Sequence, residues 1–143
     1  MVNTPAVNPS NPEPPGTRQR LAALRVALLH LHKTLLESER ISYEASFGQI
    51  SSPYHFLHLL TSDPWFAWLA PVTQLVTSVD EMLEEESPLT QAGVEAVLRQ
   101  TGSLLVASME GDGFSRHYDE ALQRSPDVIL AHAAVARIIR GKI

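Results

Sequence analysis

Thr17 to Gly48 reads TRQRLAALRVALLHLHKTLLESERISYEASFG, and this stretch decides the fold. Leu21, Leu24, Leu28, Leu31 and Leu35 recur at alternating steps of three and four, which places them on one stripe of a helix. Leu29, Leu36 and Tyr43 make a second stripe about 100° further round. Gly48 stands where a helix stops, so the spacing predicts one helix of about thirty residues, from Arg18 to Phe47. At ~1.5 Å per residue it is about 45 Å long, the span of a whole small domain. Such a helix serves as a spine for others.

The remaining punctuation predicts shorter helices. Ser52-Pro53 opens one to about Ser62, and Asp63-Pro64 opens another over Trp65 to Ala70. After Pro71, residues Val72, Leu75, Val76, Val79, Met82 and Leu83 share a face, and the helix frays at Glu84-Glu85-Glu86. Ser87-Pro88 restarts the chain into a helix expected to run to about Met109, with a turn at Gly111-Asp112-Gly113. Helices at about Ser115–Arg124 and Asp127–Arg140 complete the chain. No period-two alternation is sustained anywhere, so the expected fold is all-α, a bundle of four main helices plus two short ones over residues 17–143. Residues 1–16 hold five of the ten prolines and almost nothing apolar, which predicts a disordered leader.

Composition excludes several classes of function. The 143 residues carry a net charge of −5, the wrong sign for a nucleic-acid footprint. With no cysteine there is no disulfide, thiolate–metal or thiol-nucleophile chemistry. No apolar run reaches the length of a membrane span, and the first residues lack a signal peptide's pattern, so a cytoplasmic domain without a membrane partner is expected. Neither a Gly-x-Ser-x-Gly turn nor a phosphate-binding Gly-rich loop occurs.

Two groups of residues carry chemistry. Arg25, His32 and Glu39 recur every seven residues between the two leucine stripes, and a polar row in that position needs partners. His55 and His58 share a face at i, i+3, so His32, Glu39, His55, His58 and Asp63 are the candidate ligands of a small molecule or metal ion. Against the metal stands the absence of the Glu-x-x-His spacing of helical metal sites, so no cofactor is expected. The other group is aromatic. Tyr54, Phe56, Trp65, Phe66 and Trp68 are five of the nine aromatics and fall within fifteen residues. They either close one end of the bundle or offer a contact surface, together with Ile138 on a last helix that is apolar nearly all round.

Leu31 to Arg40, Asp63 to Leu69 and Ser125 to His132 together resemble a bacterial family of small helical proteins with no assigned activity. The resemblance implies a bacterial cytoplasmic setting and transfers no catalytic residue. The leading expectation is therefore a non-enzymatic module that self-associates or binds a protein partner through helical faces. The alternative is a ligand- or metal-binding bundle built on the His and Glu residues.

Overall fold

Gly48 ends the long helix with its φ at +96°, a conformation that side-chain-bearing residues avoid, while its N–H still closes onto the Glu44 carbonyl. That helix, α1, runs Thr17–Phe47. In the computed structural model, which describes residues 13–111 and 113–141, it is followed by α2 (Pro53–Ser62), a 3-10 helix (Pro64–Leu69), α3 (Ala70–Glu84), α4 (Gln91–Leu104), α5 (Phe114–Arg124) and α6 (Pro126–Ile139). The fold is all-α. Among the described residues there are six α-helices, one 3-10 helix and no strand. No described helix is long and apolar enough to cross a membrane. Residues 1–12 of the expected leader lie outside the described residues, as does Asp112 of the expected turn.

α1 packs against α3, α4, α5, α6 and the 3-10 helix, and the Leu21 to Leu35 stripe is fully buried among them. Val72, Leu75 and Val79 of α3, with Val128, Ala131 and Val135 of α6, fill the core from either side. α2 is the exception. It packs mainly on the 3-10 helix and buries only Leu59.

Both main neighbours run antiparallel to α1, and arginines in its first turns close their ends. Arg18 Nη1 donates to the Leu83 carbonyl of α3 (3.2 Å), and Arg20 Nη2 donates to the Ile139 carbonyl of α6 (3.1 Å). These are carbonyls that a helix leaves without a partner at its end, and a cation suits the dipole there. Glu13 holds Arg18 through both carboxylate oxygens (3.1 and 3.0 Å) and accepts the Leu89 N–H at 2.8 Å, tying the chain ahead of α1 to the α3–α4 loop.

Two boundaries differ from the sequence reading. α4 starts at Gln91, not at Ser87-Pro88, because the Thr90 hydroxyl accepts the Gly93 N–H at 3.0 Å and caps the helix there. It stops at Leu104 and not near Met109. Gly102 and Ser103 weaken its last turn, and the Ser108 N–H pairs instead with the Ser115 carbonyl at 3.1 Å.

Candidate functional site

The polar row of α1 is resolved partner by partner. Arg25 pairs with Asp80 of α3, and His32 Nε2 meets Thr73 Oγ1 at 2.8 Å. Seven residues forward on α1 match seven residues back on α3, as an antiparallel pair requires. One further step would reach Phe66, where α3 has not yet begun, so Glu39 turns to Arg124 at the end of α5. Glu39 is only 7% exposed, and Arg124 also donates to Ser38 Oγ (3.1 and 3.2 Å). The row is a set of seams between α1 and its neighbours.

The five candidate ligands accordingly do separate work. His55 Nδ1 accepts the Ser51 N–H at 3.1 Å beside the α2 cap, and His58 is exposed on the same helix. Asp63 accepts the Trp65 N–H at 2.9 Å and opens the 3-10 helix. Among the described residues no three His, Asp or Glu side chains gather into a group able to hold a metal ion. The metal set that spacing suggested is thereby not assembled: His32, Glu39, His55 and Asp63 are each held by a local backbone or inter-helix partner, and His58 is exposed.

The aromatic segment divides in two. Trp65 sits edge-on to Tyr43 (5.8 Å) and Phe47 (5.6 Å), while Phe66 meets Tyr43 (5.5 Å) and Phe56 (5.7 Å), so this half closes the carboxy end of α1. Trp68 points to the other side, stacked on His117 and tilted against Phe114, each at 5.4 Å. Behind Phe114 lies Tyr118, fully buried, its hydroxyl 2.7 Å from His132 Nδ1. Burial raises the Tyr118 pKa and lowers that of His132, so both groups are neutral near pH 7 and share one hydrogen bond whose direction follows the imidazole tautomer.

As a contact surface the expected set needs correction. Phe66 (2% exposed) and Ile138 (8%) belong to the core, and Phe56, Trp65 and Trp68 are half-buried. Tyr54, at 85%, is the one member freely offered to solvent. Large apolar side chains are also exposed at Val26, Ile41 and Phe47 on α1, at Leu57 on α2, at Val106 and Met109 after α4, and at Ile129 and Leu130 on α6. A signal for the α6 exposure was present. Val128-Ile129-Leu130-Ala131 spans about 300° of a helix, so its apolar side chains cannot all face one core.

Concave regions flank α1 on two sides. A groove of about 430 Å³ runs between α1 and α6, lined by Lys33, Glu37, Ile41, Asp127 and Leu130 among others. A cleft of about 410 Å³ lies between α1, α2, the 3-10 helix and α3, with His32 and Thr73 on its wall.

Compared with protein-family models, with curated proteins and with solved structures, the chain has no match. The functional argument therefore rests on these surfaces.

Proposed function

We propose that the chain is a non-enzymatic self-association module whose copies meet face to face across α1 and α6. The observation that carries this reading is the exposure of Leu130 (69%) and Ile41 (56%) on the two walls of one groove. Apolar side chains gathered on one face and rimmed by charge are the usual make-up of a protein contact. The rim carries both signs, Lys33 and Glu37 on α1 and Asp127 at the start of α6. A two-fold arrangement matches a patch to itself, so Lys33 of one copy can face Asp127 or Glu37 of the other. α1, α3, α4 and α6, the four longest helices, form the proposed bundle proper. A bacterial cytoplasm is its proposed setting, on the resemblance stated above. The net charge of −5 supports a protein partner over a nucleic acid.

Sedimentation equilibrium over a concentration series tests the reading. The expected result is a dimer that dissociates in Leu130→Lys while circular dichroism keeps its helix signal. A monomer at every concentration, or a Leu130→Lys variant that dimerises as tightly as the parent, rules it out.

A further inference from the structure

The cleft beside His32 has a different character from the α1–α6 groove. Leu36, Leu60, Phe66 and Leu69 supply its apolar walls, and His32, Thr61, Thr73 and Gln74 supply its polar atoms. Its volume, about 410 Å³, falls in the range of small-molecule sites, roughly 300–1,000 Å³, and so does its make-up of apolar walls with a few polar groups. No Asp, Glu, Lys or Arg lines it, so an ionic ligand would lose hydration and gain no opposite charge. His32 is the ionisable group present, and burial lowers its pKa, which keeps it neutral near pH 7.

The hydrogen-bond inventory narrows the ligand further. Thr61 Oγ1 donates to carbonyls of its own helix, those of Leu57 (3.2 Å) and His58 (3.0 Å), and Thr73 Oγ1 donates to the Leu69 carbonyl at 3.4 Å. With those protons engaged, both threonines present lone pairs. In the tautomer that keeps the Thr73–Leu69 bond, His32 donates from Nε2 to Thr73 and its Nδ1 is an acceptor. Gln74 adds an amide able to act either way. The balance lies with acceptors, so the complementary molecule carries a donor. One wall is α2, which buries only Leu59.

We propose that this cleft binds a small, uncharged, mainly apolar molecule bearing an N–H or O–H donor, of the aromatic amine or phenol class. Ala67 and Ala70 line the cleft and are exposed, so enlarging both to Phe fills the space without touching the core. The test is a fluorescence titration of the full chain with N-phenyl-1-naphthylamine, which is uncharged and has one N–H. Saturation at one probe per chain is expected, with affinity reduced about tenfold or more in the Ala67→Phe, Ala70→Phe double variant. The sulfonated analogue 1-anilinonaphthalene-8-sulfonate should bind the parent about tenfold or more weakly than the uncharged probe. Leu130→Lys should leave probe binding unchanged, since that residue lines the other groove. The proposal is overturned if the probe does not saturate, if the double variant or the sulfonate binds as tightly, or if binding is lost in Leu130→Lys.

Discussion

Glu39 shows what a single residue carries in this fold. Its carboxylate is almost wholly enclosed, and Arg124 with Ser38 is what makes that enclosure tolerable. Glu39→Ala removes the buried half of this pair and leaves Arg124 in contact with solvent, and we expect a loss of about 1 kcal/mol, read as a lower urea midpoint. Arg124→Ala should cost at least as much, because the carboxylate it leaves is the more buried partner. Tyr118 and His132 make a second pair whose stability depends on pH. The unfolded His132 takes its proton near 6.5, whereas the folded residue resists it to lower pH. The stabilisation is therefore complete above about 6.5 and is lost as pH falls from there through the folded value. His32 shifts in the same direction. Urea midpoints measured between about pH 7.5 and 5 should fall in the parent and fall less in His132→Gln. An unchanged slope in the variant would assign the acid sensitivity elsewhere.

Four of the described helical elements are opened by a capping side chain. Ser52, Thr90 and Ser125 each accept an N–H of the helix they open, and Asp63 does so for the 3-10 helix. Asp63→Ala should cost about 1 kcal/mol while Asp63→Asn costs little, because Asn keeps the accepting oxygen. A large loss in Asp63→Asn, seen in thermal denaturation, would mean that the charge and not the cap matters. The starts at Ser52, Asp63 and Ser125 were legible in the sequence, since Ser-Pro and Asp-Pro announce them, whereas Ser87-Pro88 announced a start that Thr90 makes three residues later. The end of α4 was not legible. Leu104, Leu105 and Val106 continue an apolar helical pattern, but beyond them the Ser108 N–H pairs with the carbonyl of Ser115, seven residues on.

For the molecule as a whole, burial is distributed unevenly along the chain. α1 meets nearly every other element, while α2 hangs on the 3-10 helix by a small contact. Hydrogen exchange followed by mass spectrometry should therefore show α2 exchanging first and the middle of α1 last. An α2 protected as well as α1 would point to a partner or second copy covering it. The spine, the all-α class and the polar row between two leucine stripes followed from the sequence alone, because periodicity at 3.6 residues fixes which side chains share a face before any neighbour is known. The tertiary structure decided what each face meets. Arg25, His32 and Glu39 lie on one row, yet they reach α3, α3 and α5 in turn, since α3 begins too late to serve the third. Five aromatics close in sequence part to opposite sides because the 3-10 helix turns Trp65 and Phe66 one way and Trp68 the other. Proximity along the chain constrains only the direction a side chain leaves the backbone. Its partner is chosen by the packing of helices far apart in sequence, and the cleft and groove exist only once that packing is complete.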